Sequence, residues 1–140
     1  MIAYYNTKVG FCPVFSYKKD KRENTLWLRF EGLDTIADVF VNDIFVGHGE
    51  NMHRIWEFDV TDIIKDGENI VRVYFYSPLK YIEEAFAKAP THGSEDAMDG
   101  FVHIRKAHCM FGWDWGPRLP DAGIWRETRI EFYDNRLEEI

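Results

Sequence analysis

The sequence predicts an all-β fold, a jelly-roll β-sandwich of roughly eight short strands with one short helix. Three observations carry that expectation. Apolar and polar residues alternate with period two in several separate segments, the mark of antiparallel strands with one packed face. Turn-forming residues punctuate those segments. The 140 residues are also 46% hydrophobic and 16% aromatic, with eleven Phe, seven Tyr and five Trp, a composition that leans toward sheet and away from disorder. A compact chain of this length can bury roughly 68% of its unfolded surface, so one domain over 1–140 with a real core is expected.

The elements follow in chain order. In 25–31, Leu26, Leu28 and Phe30 share one face, while Trp27, Arg29 and Glu31 share the other. Ala37, Val39 and Val41 alternate with Asp38, Phe40 and Asn42, so 36–41 reads as a strand. Asn42-Asp43 separates it from a strand over 44–48; both residues tolerate positive φ and suit a two-residue hairpin turn. Gly47, Gly49 and Asn51 break the chain before a strand over 54–60. Residues 61–67 look like one helical turn closed by Gly67. Val71, Val73 and Phe75 oppose Arg72, Tyr74 and Tyr76, making 69–77 a further strand. The helix is expected over 78–89, with Pro78 in its first turn and Tyr81, Ile82, Ala85, Phe86 and Ala89 on one face. Residues 90–100 turn small and polar, which reads as a loop, and a last strand over 124–133 closes the domain.

Charge and composition exclude several functions. Net charge is −7, from 17 basic and 24 acidic side chains, which argues against a phosphate-backbone partner. The one dense basic run, Lys18-Lys19-Asp20-Lys21-Arg22, is short, is interrupted by an acid and suits a solvated loop. Cys12 and Cys109 have no metal-ligand spacing and fit a reducing compartment, with a single disulfide left open. No basic segment leads into a long apolar run near the start, and no apolar run approaches the length of about 18 residues that spans a bilayer. A cytoplasmic location without membrane contact is therefore expected. His48 and His53, like His103 and His108, stand five apart, which is not a familiar ligand pair, so no metal is expected. No nucleophile elbow and no phosphate loop occurs, and no cofactor is expected.

The segment richest in chemistry runs from His103 to Arg118. Within it Trp113 and Trp115 flank Asp114, and Gly116-Pro117 forbids a helix and favours an ordered turn. A carboxylate between indoles suits a sugar, because it accepts hydrogen bonds from neighbouring hydroxyls while the rings cover C–H faces. On the residues alone, a structural turn remains open, with both Trp in the core and Asp114 capping backbone amides.

Arg105-Lys106, then Gly112-Trp113-Asp114-Trp115-Gly116-Pro117 and Gly123-Ile124-Trp125-Arg126, resemble the N-terminal domain of glycoside hydrolase family 2, most closely its β-mannosidase group. Leu28-Arg29-Phe30-Glu31-Gly32-Leu33-Asp34-Thr35-Ile36-Ala37-Asp38-Val39-Phe40-Val41-Asn42 and Gly67-Glu68-Asn69 with Ser77-Pro78-Leu79 extend the resemblance over about 25–133. Residues 1–19 match the family's opening strand poorly, and Asp43 stands where a turn glycine is common. The resemblance implies a galactose-binding-domain-like jelly roll packed on a (β/α)8 barrel that carries the two catalytic glutamates. It implies that Asp114 hydrogen-bonds hydroxyls on the distal side of the bound sugar, at C4 and C6, and that Trp113 walls the same subsite. Trp115 is grouped with these as substrate-binding, although it also shapes the turn with Gly116 and Pro117. Arg105 and Lys106 serve either the turn or the barrel contact.

The family's acid/base sits in an Asn-Glu pair, and none of the asparagines at 6, 24, 42, 51, 69 and 135 is followed by Glu. A retaining pair of carboxylates about 5–5.5 Å apart is therefore expected on the barrel and not among these residues. Three readings follow: a sugar-binding domain of a glycosidase acting on β-mannosides or β-galactosides, inert without the barrel; a stand-alone carbohydrate-binding module; or a structural partner domain. Apolar surface left uncovered by a barrel tends to find partners, so a homodimer is also expected.

Overall fold

A computed structural model of the chain describes residues 9–18, 25–112, 114 and 116–133. Ten strands and one α-helix occur among them: β1 Val9–Phe11, β2 Val14–Tyr17, β3 Thr25–Phe30, β4 Leu33–Asp34, β5 Ala37–Val41, β6 Ile44–Gly49, β7 Trp56–Asp59, β8 Gly67–Phe75, α1 Pro78–Lys88, β9 Gly123–Ile124 and β10 Thr128–Tyr133. The fold class is the expected all-β sandwich with one short helix.

All strand pairs are antiparallel. The larger sheet runs β1-β8-β5-β6, with β2 continuing along β8 where β1 stops. Pro13 marks the break between β1 and β2, and its carbonyl accepts the Val71 N–H at 3.1 Å. Proline donates nothing to a ladder, so this edge is where it is tolerated. The opposing sheet is β10-β3-β7, and a two-stranded ribbon of β4 and β9 lies beside them.

The alternation written in the sequence becomes the core. Leu26, Leu28 and Phe30 from β3 face Ala37, Val39 and Val41 from β5 and Val71, Val73 and Phe75 from β8, all buried. Phe58, Val60 and Ile64 fill the same layer. Asn42 and Asp43 take φ of 50° and 67° and close the β5–β6 hairpin, the left-handed pair that a type I′ turn requires. Behind that turn Asn69 is fully buried. Its amide donates to the Lys65 carbonyl at 2.8 Å, and its oxygen accepts from Lys65 N–H and from the Asn42 amide at 2.9 Å. The Gly67-Glu68-Asn69 motif is thereby explained, since Gly67 enters β8 with φ of 90° and Asn69 replaces the backbone partners that the turn lacks.

Two expectations needed correction. The last strand is not continuous over 124–133, because 125–127 leave the ladder between β9 and β10. The cause is Trp125, whose ring sits where a Cβ on Gly32 would be, 2.3 Å from its Nε1, with the indole donating to the Met52 carbonyl at 3.1 Å. The helix also packs less of its apolar face than its periodicity suggests: Ile82 is buried, whereas Tyr81 is 41% exposed. Helix α1 lies at the periphery, over a second apolar cluster of Ile36, Ile82, Ile104 and Phe111 with Leu79, Met98 and Phe101 around it. Ser77 caps it, accepting from Lys80 N–H at 3.3 Å, with Pro78 in the first turn.

Candidate functional site

The residues expected to meet a sugar lie on the loop that follows this second cluster. Gly100, at φ of 78°, brings the chain against α1, where a Cβ would stand 2.5 Å from the Ile82 carbonyl oxygen. Two short 3-10 turns follow, Phe101–His103 and His108–Phe111. Phe111 is wholly buried, and Phe101 packs edge-on to His108 at 4.8 Å. Beyond Phe111 the loop is closed at its base by two backbone hydrogen bonds, Met98 N–H to the Phe111 carbonyl at 3.1 Å and Leu119 N–H to the Met110 carbonyl at 3.0 Å. Gly112 has φ of 99° and makes room for Arg118, whose Cγ would stand 2.5 Å from a Cβ there. The Arg118 guanidinium then reaches the Asp96 carbonyl at 3.0 Å.

Asp114 sits at the tip of this pinned loop and is exposed. Gly116 is half-buried and Pro117 exposed. Trp113 and Trp115 lie outside the described residues.

Arg105 and Lys106, adjacent in sequence, go separate ways. Arg105 is exposed; its backbone bridges to Asn51, and its carbonyl accepts the Met52 N–H at 3.0 Å. Lys106 is 2% exposed. Its ammonium donates to Asp34 and, at 2.7 Å, to the Asp121 carbonyl. The Thr35 hydroxyl donates to the other Asp34 oxygen, so both oxygens of a buried carboxylate are satisfied. Burial pushes the Lys106 amine below the usual lysine range, and the Asp34 carboxylate opposes that shift. Lys106 thus ties the loop to the β4–β9 ribbon. Met52, buried beside it, is a second tie: its sulfur accepts the Ala107 N–H at 2.8 Å, and its carbonyl holds Trp125.

Asp34, Thr35, Gly112 and Arg118 were not singled out from the sequence as parts of this site. The pairing of Asp34 with Lys106 spans 72 positions and leaves no local trace. Among the described residues no three His, Cys, Asp or Glu are placed to hold a metal ion. Both cysteines are free and exposed. Among the described residues no helix is long and apolar enough to cross a membrane.

Comparison with known proteins places the chain. A family model described as glycosyl hydrolase 2 galactose-binding domain-like matches residues 6–126. The β-mannosidase of Capra hircus is 40% identical over 129 residues, which cover 86% of this chain and 15% of that protein. That of Bos taurus is 41% identical over 115 residues, covering 76% and 13% respectively. The crystal structure of β-D-mannosidase from Dictyoglomus thermophilum superposes with a TM-score of 0.82 at 35% identity, over 89% of this chain and 15% of that one. The chain therefore spans a small part of the length of the relatives that it matches. With the sandwich fold and a family-model match over residues 6–126, the chain belongs to the galactose-binding-like N-terminal domain family of glycoside hydrolase family 2.

Proposed function

We propose that this chain is the sugar-recognising domain of a β-mannosidase-like glycosidase, an enzyme that hydrolyses terminal β-D-mannosyl or related β-glycosidic bonds in carbohydrate metabolism. The observation that carries the reading is the exposed Asp114 carboxylate on a loop closed at its base and anchored by a buried lysine. A loop closed at its base loses less backbone entropy when its carboxylate accepts hydrogen bonds from sugar hydroxyls. Asp114 accepts from the distal hydroxyls, and Trp113 and Trp115 contribute the apolar wall. Lys106, Gly116 and Pro117 fix the turn, and Arg105 supports it through its backbone bridge to Asn51. A separate (β/α)8 barrel completes the subsite and supplies the two glutamates, so the domain alone cleaves nothing. Resemblance to proteins named β-mannosidase, at up to 41% identity among those compared, favours a mannoside over a galactoside.

In a full-length enzyme carrying this domain, Asp114→Ala lowers kcat/KM by roughly tenfold or more, the loss of one charge-assisted hydrogen bond. An unchanged value refutes the assignment. Titration of the isolated chain with mannose, galactose and glucose, read on the indole N–H signals, separates this reading from a stand-alone binding module. Selective shifts with mannose favour the module, and an unmoved spectrum favours half a subsite. Exposed Phe45 and Phe132, at 55% and 64%, favour a homodimer of the isolated chain, and a monomer by sedimentation refutes that part.

A further inference from the structure

Away from Asp114, a polar cleft of about 300 Å³ opens between the turn after β6, the first turns of α1 and the segment before Lys106, lined by Glu50, Asn51, Arg54, Tyr81, His103 and Arg105 among others. Its charge is opposite to that of the molecule. Two guanidinium groups and one carboxylate face it, in a chain whose net charge is −7. Neither Arg54 nor Arg105 has a carboxylate within ion-pair distance among the described residues, whereas Arg29, Arg72 and Arg129 do. Both are set on fixed backbone. The Arg54 guanidinium lies over the Trp56 ring at 5.0 Å, and that indole donates to the Asn51 carbonyl at 3.0 Å. Arg105 is joined to the same turn by its bridge to Asn51. The Asn51 side-chain oxygen is occupied by the His53 N–H at 2.9 Å, which leaves its amide as a donor.

The geometry points to a second ligand site in this cleft, one that takes a hydroxylated monocarboxylate of the sugar-acid class. Two forked guanidinium groups match a planar carboxylate, and each such charge-assisted contact is stronger than a neutral hydrogen bond. Glu50 repels a dianion such as phosphate and instead accepts from hydroxyls, while Asn51 and Tyr81 supply further polar contacts. A bare carboxylate would leave those groups unused. The volume is at the lower end of the range in which small ligands are held, roughly 300–1,000 Å³, which fits a single sugar unit.

The test uses the whole chain with D-galacturonate as probe, D-galactose as its neutral match and acetate as the bare carboxylate. The readouts are the Arg54 and Arg105 Nε–H signals. Galacturonate shifts both saturably, and binds at least roughly tenfold more tightly than galactose or acetate. Arg54→Gln and Arg105→Gln each weaken galacturonate binding by about tenfold. Asp114→Asn leaves it unchanged, which separates this cleft from the loop's own subsite. Equal binding of galactose removes the carboxylate from the assignment, and equal binding of acetate removes the sugar. Undiminished affinity in both arginine variants overturns the site.

Discussion

Removing the Lys106 ammonium is the sharpest test of how the site is held. In Lys106→Met the apolar stem is kept in shape while the charge disappears, leaving the Asp34 carboxylate, 3% exposed, with only the Thr35 hydroxyl. The Asp121 carbonyl loses its donor as well. Breaking a buried pair by removing one partner costs about 3–5 kcal/mol, because the remaining charge is uncompensated. Against a total of about 5–15 kcal/mol for a domain, that is a large fraction. At about 4 °C per kcal/mol for a chain of this size, the midpoint of thermal unfolding falls by roughly 12–20 °C. Urea unfolding followed by tryptophan fluorescence measures the loss directly. Adding Asp34→Asn to Lys106→Met removes the stranded charge, so the double variant recovers about 1–3 kcal/mol of the single variant's loss. A single-variant cost below about 1 kcal/mol, the value of an exposed pair, refutes the account of Lys106 as a buried tie.

Three further outcomes follow from the same structure. Asp114→Ala, at an exposed tip, changes the unfolding free energy by less than about 0.5 kcal/mol, so its effect on a sugar is separable from folding; a larger loss by urea titration shows a structural role. Asn69→Ala strips partners from Asn42, Lys65 and Gly67 at once and costs about 2–4 kcal/mol on the same measurement, since each buried group left unpaired is expensive. Glu131 accepts from the Tyr133 hydroxyl and, at 2.6 Å, from Arg129, and these bonds hold its carboxyl below the usual glutamate range. The folded form therefore binds its proton less readily than the unfolded chain. Its stabilising contribution is complete above about pH 4.5 and is lost as pH falls through the lower folded value. Tyr133→Phe raises the Glu131 pKa toward the ordinary value by carboxyl NMR titration, and an unmoved titration refutes the cause.

How far the sequence could be read depends on the range over which each feature is encoded. Leu26, Leu28 and Phe30 declare their face by period two, and all three are buried as expected. Asn42-Asp43 declares its turn through two residues that tolerate positive φ. The exposed Tyr81 misled the helical wheel, because a peripheral helix buries a narrower stripe than its apolar residues mark out. The interruption at Trp125 depends on Gly32 and Met52, far away in the chain, so no local pattern reports it. The motif from Arg105 to Pro117 was legible as a unit, but the division of labour within it was not. Arg105 and Lys106 look equivalent as letters, and only the fold sends one to a cleft and the other into the interior.

That interior pair has a consequence for how such a domain can change. Asp34 and Lys106 lie 72 positions apart, and neither can be replaced by an apolar residue first without stranding the other's charge. A well-packed apolar pair in their place can be as stable as the ion pair or more so, yet every single-step route to it passes through a destabilised intermediate. The two positions are expected to drift together or not at all. The solvent-facing tip they support is under no such constraint, so its contacts can be rewritten one residue at a time while its anchor stays locked.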